Sequence, residues 1–536
     1  MDYKSTLNLP QTDFPMKAGL PEREPIRVKQ WEGDKTYARM VGKRHGRPKF
    51  TFHDGPPYAN GNIHLGHTLN KVLKDIVVKY KNMSGFQCDF IPGWDCHGLP
   101  IELGVEKKLR DEKKDKASLS KVDIRKLCKE YALTYIGKQR EQFKRLGCFG
   151  DWDNPYLTMS DDYVANIVRE LGRISKTGNL YKGNKPVYWC ANDATALADA
   201  EIEYADHSSP SIYVKFYLQP ESLKKLPKLA AAAGSKKVAV VIWTTTPWTL
   251  PANLAISLHP EFEYAAVDTG TDVVIVAEGL RERVFAETGL KGATIAKLKG
   301  TEFEYLKADH PFMNRSSLLI LGEHVTLEAG TGAVHTAPGH GVDDYRVGMK
   351  YKLEVLAPVD ARGRFTDEVP LWKGLKVFEA NKPIIEHLTA SGHLVKMTEI
   401  KHSYPHCWRC NKPVIFRATP QWFIGMDGAT KLRQRAVEQI HKVEWIPGWG
   451  INRILGMVEG RPDWCISRQR VWGVPITVFY CEKCDEAVSA QESFEHVAKI
   501  FDEHGPNVWY EWPAEKLMKP GTKCSSCGTS DVTKFR

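Results

Sequence analysis

The chain has 536 residues, 42% of them hydrophobic and 26% charged, with a formal net charge of +10. That length calls for several domains of ~100–200 residues, and that composition supports packed cores rather than a disordered or fibrous chain. No apolar run nears the ~18 residues of a membrane span and no secretory signal opens the chain, which points to the cytoplasm and to no membrane partner.

The first 45 residues, with PMKAGLPEREP, read as an extended arm and a short helix. Residues 49–53 read as a strand. Leu65, Leu69, Val72, Leu73, Ile76 and Tyr80 then recur at helical spacing, and Gly85 supplies a stop. Residues 86–91 read as a second strand ending in PGWDCHG. This strand–loop–helix–strand order predicts the first half of a nucleotide-binding α/β sheet, over residues 46–184. Residues 106–126 are lysine-rich and predicted helical, more as a solvated face than as a nucleic-acid contact. From residue 185 the texture changes. Short runs such as KKVAVVIWTTT, EYAAVDTG and DVVIVAEG alternate with turns to about residue 400, which predicts an inserted, β-barrel-like domain over 205–400. Its flanks, 185–204 and 401–415, read as stalks. Residues 416–480 return to the first domain, and 481–536 form a small cysteine-bearing module.

The stretch HDGPPYANGNIHLGH, residues 53–67, holds three glycines, two prolines and three histidines. Gly55, Pro56, Pro57 and Tyr58 make a stiff turn that lets backbone approach a flat ligand. His64, Gly66 and His67 open a helix, where free amides and the dipole favour anions. Two imidazoles there can donate to phosphate oxygens and stabilise nucleotidyl transfer without a covalent intermediate. In PGWDCHG, Asp95 is a carboxylate at a strand end, suited to an ammonium.

HDGPPYANGNIHLGH followed by PGWDCHGLPIE resembles the class I aminoacyl-tRNA synthetases of the Ile/Val/Leu group, and within it the isoleucine branch. The resemblance runs from the arm to the last residue. It implies a Rossmann-like catalytic domain, of which the first half is present, interrupted by an editing domain. It implies that His64 and His67 bind ATP phosphates, with Mg2+, and that Gly55 to Tyr58 line the aminoacyl-adenylate site. Asp95, with Pro57, would hold the amino acid, here isoleucine, for transfer to tRNA(Ile).

A second constellation pairs WTTTPWTLPAN, residues 243–253, with GTGAVHTAPGHGVDD, residues 330–344. Its small hydroxyls, amide, imidazole and carboxylate suit an aminoacyl ester and a positioned water. In the resembled family this is the editing pocket. Asp344 would hold the α-amino group while Thr244, Thr245, Thr246, Asn253 and His335 shape the site. Valyl and leucyl relatives carry an Arg after the threonines, and this chain does not. Editing has a physical motive, since one missing methylene is worth only ~1–3 kcal/mol of discrimination. The isoleucine/valine pair is itself the standard illustration of that limit, so the figure belongs to the chemistry in general and owes nothing to this chain.

Cys481 and Cys484, in CEKC, pair with Cys524 and Cys527, in CSSC, across 39 intervening residues, the spacing of a tetrahedral zinc site. A second candidate set is Cys190 and Asp193 with Cys407 and Cys410, at the two stalks; many of the resembled relatives carry a cysteine in place of Asp193. The family's lysine loop, KMSKS, is not found; KLMKPGTK near residue 520 lacks the pattern. The chain therefore reads as the N-terminal portion of a longer, monomeric ligase whose missing part comes from the full-length chain or a split partner. Two other readings are a stand-alone editing deacylase and a non-catalytic tRNA-binding relative.

Overall fold

Pairing in the first sheet is broken into short pieces. In the computed structural model, which describes residues 3–8, 12–13, 18–114 and 118–536, Lys49 and Gln87 meet in one parallel bridge, and Tyr58 and Asp95 in another. The strands predicted over 49–53 and 86–91 are not continuous ladders. Within 86–91 the Phe90 N–H is taken by the Tyr37 hydroxyl at 2.9 Å, and Pro56, Pro57 and Pro92, which follow the two stretches, bring no amide hydrogen with which to extend them. Pairing resumes where β1 (Gly93–Trp94) runs parallel to β2 (Tyr156–Leu157).

Two compact units emerge, one of residues 1–173 with 470–536 and one of residues 174–469. The first unit carries helices α1 (Leu20–Gly33), α2 (Thr36–Gly42), α3 (Leu65–Met83), α4 (Leu99–Asp111) and α5 (Lys121–Arg145). The helix predicted over 106–126 is thus two helices. α4 ends at Asp111, and α5 starts afresh where Ser120 caps the Asp123 N–H at 3.1 Å. Positions 115–117 of that stretch, and 1–2, 9–11 and 14–17 of the predicted arm, lie outside the described residues.

α3 forms as its periodicity predicts, but its apolar stripe faces outward. Leu65 is 87% exposed, and Leu69, Leu73, Ile76, Tyr80 and Met83 are exposed with it. The inward face is mixed, with Lys71 and Asn82 buried beside Val78, and Val72 of the predicted stripe packed against the core. Asn82 satisfies itself by donating to Val78 O and Cys88 O.

The second unit is mainly β. Its strands are β3 (Leu180–Cys190), β4 (Thr195–Leu197), β5 (Ile202–Tyr217), β6 (Val238–Thr244), β7 (Ala255–Leu258), β8 (Glu263–Asp268) and β9 (Val273–Ala277). Then follow β10 (Ala293–Lys299), β11 (Lys307–Asp309), β12 (Ser316–Leu321), β13 (Ala333–Thr336), β14 (Leu394–Cys407), β15 (Ile415–Ile424) and β16 (Trp464–Cys465). A six-stranded sheet has the order β10-β8-β9-β6-β5-β14, and a four-stranded one the order β11-β12-β7-β13. A third sheet, β16-β15-β3-β4, carries the chain in and out of them. The runs Val238–Ile242 and Val273–Ala277 are buried throughout, which is why they read as unbroken apolar segments rather than alternating ones. Among the described residues no helix is long and apolar enough to cross a membrane.

Candidate functional sites

His64 is the N-cap of α3, and it and His67 cap each other. His64 Nδ1 accepts the Gly66 N–H at 3.1 Å, and His67 Nδ1 accepts the His64 N–H at 3.3 Å. An imidazole nitrogen that accepts carries no proton, so in each neutral ring the proton is assigned to Nε2. The cap therefore leaves two Nε2–H donors at a helix N-terminus, with ring centroids 4.0 Å apart. A Cβ on residue 66 would come within 2.9 Å of His64 Cε1, so Gly66 is what lets the cap close. Burial holds His67 below its usual pKa, and the His64 and Lys71 charges push the same way, which keeps the ring a neutral donor.

Asp95 lies beside the Gly55–Tyr58 turn. Its N–H donates to Pro57 O at 2.9 Å, and its carbonyl accepts the Ala59 N–H at 2.9 Å. Burial raises the Asp95 carboxyl above the usual range, against the His97 N–H and Thr158, and no cation among the described residues offsets it. A partly buried carboxylate without a cation suits an incoming ammonium.

In the second unit a cavity of about 350 Å³ is lined by Thr244, Thr245, Thr246, His335 and Asp344, all five singled out from sequence. Asp344 sits in the first turn of the helix Val342–Lys350 and accepts the Ala337 N–H at 2.9 Å. Burial, with Asp343 adding to it, pushes its pKa up to about 7. Gly341 permits this, because a Cβ there would come within 2.9 Å of Asp344 Cγ.

Asn253 is the exception: it is fully buried behind His335 and does not line the cavity. Its Nδ2 donates to His335 Nδ1 at 3.1 Å and to Ala255 O at 2.8 Å, and its carbonyl accepts from the Ser317 hydroxyl. His335 therefore carries its proton on Nε2 and donates it to Thr249 Oγ1 at 2.7 Å. Both ring nitrogens are engaged, and burial draws the pKa down to about 4. His335 shapes the cavity and has no nitrogen left to take a proton from water.

Sequence reasoning missed Thr249, His324 and His340, which line the same cavity. Thr249 had a signal, lying one turn beyond Thr246 in the quoted motif, whose hydroxyl it meets at 3.3 Å. His324 had none.

Both cysteine sets come together. Ligand atoms within each set all lie within 4.8 Å of one another. Cys481 Sγ is 3.6 Å from Cys527 Sγ, and Cys484 Sγ is 3.5 Å from Cys524 Sγ. In the other set Cys190 Sγ lies 3.5 Å from Cys410 Sγ, and Asp193 Oδ2 is 3.3 Å from Cys190 Sγ and 3.6 Å from Cys407 Sγ. Four ligands around zinc at about 2.3 Å stand about 3.8 Å apart, so both donor sets fit a tetrahedral ion.

Comparison with known proteins adds an independent line. A family model described as tRNA synthetases class I (I, L, M and V) matches residues 26–529. The chain belongs to that family. Every site residue named above lies inside the matched span. A curated relative from Geobacter sulfurreducens, Isoleucine–tRNA ligase, is 53% identical over 534 residues, covering 100% of this chain and 57% of that protein. Relatives of the same name from Syntrophotalea carbinolica and Persephonella marina are 54% and 53% identical, covering 100% of this chain and 57% and 56% of theirs. The chain spans somewhat more than half the length of the curated relatives it matches. A solved ternary complex of Agrobacterium radiobacter LeuRS with tRNA and LeuAMS aligns over 96% of this chain and 57% of that one, at 17% identity. Its TM-score is 0.36.

Proposed function

We propose that this chain carries the activation and editing parts of an isoleucine–tRNA ligase. The carboxylate of isoleucine attacks the α-phosphorus of ATP, bound with Mg2+, and pyrophosphate leaves, giving isoleucyl-AMP; a hydroxyl of tRNA(Ile) then attacks its acyl carbon and AMP leaves. His64 and His67 donate Nε2–H to phosphate oxygens as charge builds there, and Asp95 pairs with the ammonium of isoleucine. The observation that carries this reading is the reciprocal His64–His67 cap, which fixes both donors before any nucleotide arrives. Identity above 50% to curated isoleucine–tRNA ligases supports the choice of amino acid.

In the second unit a misattached valyl ester enters the threonine-lined cavity, Asp344 takes its ammonium, and water attacks the ester carbonyl to release valine and tRNA. The buried, uncompensated Asp344 carboxyl supports this. Zinc, when bound by either cysteine set, supplies a structural cross-link, in the second case at the base of the β5–β14 pair.

The outward apolar face of α3 and the greater length of the relatives support a further segment that completes the activation site, on the same chain or a separate one. A reading as an editing hydrolase alone is favoured by one observation: the cavity is built wholly within residues 243–344. Two assays on this chain separate the readings. Isoleucine-dependent exchange of pyrophosphate into ATP supports the ligase; deacylation of valine-charged tRNA(Ile) without exchange supports the hydrolase; neither activity leaves a tRNA-binding relative.

A further inference from the structure

The floor of the proposed nucleotide site holds a charged cluster to which neither reaction above assigns a role. Asp54, immediately before the Gly55–Tyr58 turn, is fully buried. One carboxylate oxygen accepts from Lys71 Nζ and the other from Lys74 Nζ, the latter at 2.5 Å. Lys71 is 3% exposed, an unusual place for an ammonium. It also lies 5.4 Å from the Phe143 ring centroid, and that ring packs nearly perpendicular to His67. The Asp54 backbone is held from the other side, where Tyr156 Oη donates to its carbonyl at 2.8 Å.

Two consequences follow. Asp54 belongs to the turn, whereas Lys71 and Lys74 belong to α3, so the cluster ties the turn to the helix whose first residues are His64 and His67. One carboxylate faces two ammoniums, so a net positive charge remains under the site where phosphate charge would gather. Burial pulls the Lys71 ammonium below its usual pKa, and the Asp54 carboxylate opposes that.

We propose that Asp54, Lys71 and Lys74 are a positioning triad for adenylation, holding the aminoacyl-adenylate turn and the phosphate-binding histidines in one fixed geometry over a buried positive charge. This rests on the adenylation reading of the His64–His67 site. Asp54 and Lys71 are too buried to reach a substrate, and Lys74 is turned onto Asp54. The triad acts through the placement of groups that do reach it, and an error of about 1 Å in such placement costs on the order of 100-fold in rate.

The test uses Lys74→Met and Asp54→Asn in the full-length ligase. Isoleucine-dependent pyrophosphate exchange is expressed per active site, with sites counted by the adenylate burst, so that misfolded protein does not enter the rate. Both variants are expected to lose roughly 10- to 100-fold in per-site kcat while KM for ATP stays within about threefold. Lys74→Arg, which keeps the charge and donors at a position that is not fully enclosed, is expected to recover most of the loss. Per-site kcat at the wild-type value, with only fewer active sites, would overturn the triad and leave it a fold contact. A raised KM with unchanged kcat would overturn it in favour of a binding contact. Wild-type ligase without exchange would overturn the adenylation reading, and the triad's role with it.

Discussion

Asn253 Nδ2 donates to His335 Nδ1 at 3.1 Å, and that one contact fixes which nitrogen of the cavity histidine carries the proton. An amide on the other side of the ring thereby sets the donor that meets Thr249. Asn253→Ala is expected to release the tautomer and lower deacylation of valine-charged tRNA(Ile) by roughly 10- to 100-fold, with pyrophosphate exchange unchanged. Single-turnover deacylation measures it. Equal losses in both reactions would instead mark Asn253 as a general stability residue.

The Asp344 carboxyl titrates near pH 7 in the folded chain, against an ordinary 3.8. Between those values the folded unit holds a proton that the unfolded chain has released, so stability falls as pH rises from about 4 to about 7. The loss is at most on the order of 4 kcal/mol. Asp344→Asn keeps an acceptor for the Ala337 N–H and removes the titration. Denaturant unfolding at pH 5 and pH 8 should show the variant gaining on the wild type at the higher pH. A difference that does not change with pH contradicts the assignment.

His67→Ala is expected to slow adenylate formation in the full-length ligase by roughly 10²–10³, the usual effect of losing one donor aimed at developing charge. ATP affinity should change far less. A matching fall in affinity would make His67 a ground-state contact.

Elemental analysis of protein purified without added metal is expected to give about two zinc ions per chain, one for each donor set. Changing Cys484 and Cys527 together to Ser should remove one of them and destabilise the 481–536 module. Undiminished zinc in that variant would point away from the cysteine quartet.

Leu69 and Leu73 are exposed on α3, so changing both to Ser should alter this chain's stability by no more than about 0.5 kcal/mol per site. The same pair should lower exchange in the full-length ligase if a further segment covers that face. Full activity there would leave the stripe without a partner.

What the sequence made legible is uneven, for physical reasons. The helix at 65–83 was readable because apolar spacing of 3.6 survives whatever covers it, but periodicity says nothing about which side is covered. Lys71 turned inward because Asp54, 17 residues upstream, meets its charge, and no local rule reports so distant a partner. The cysteine quartet was readable because thiolate spacing alone constrains a metal site. Threonines and Asp344 were readable from their motif, whereas His324 enters the cavity from a loop with no pattern of its own. Asn253 lies a layer behind the cavity, bonded to His335 rather than lining it, since a motif names a residue without giving its depth. The stretches 49–53 and 86–91 meet in a single bridge rather than a ladder, since alternation reports a face and not a partner: the Phe90 N–H goes to the Tyr37 hydroxyl, far upstream.

The most direct test of the two-site reading is single-turnover deacylation of valine-charged tRNA(Ile) by the wild-type chain and by Asp344→Asn at pH 7.5 or so, with unfolding followed in parallel. The expected result is hydrolysis by the wild type, a loss of roughly 100-fold or more in the variant, and an equal or higher melting temperature. Hydrolysis by Asp344→Asn at the wild-type rate would contradict an editing role for the cavity.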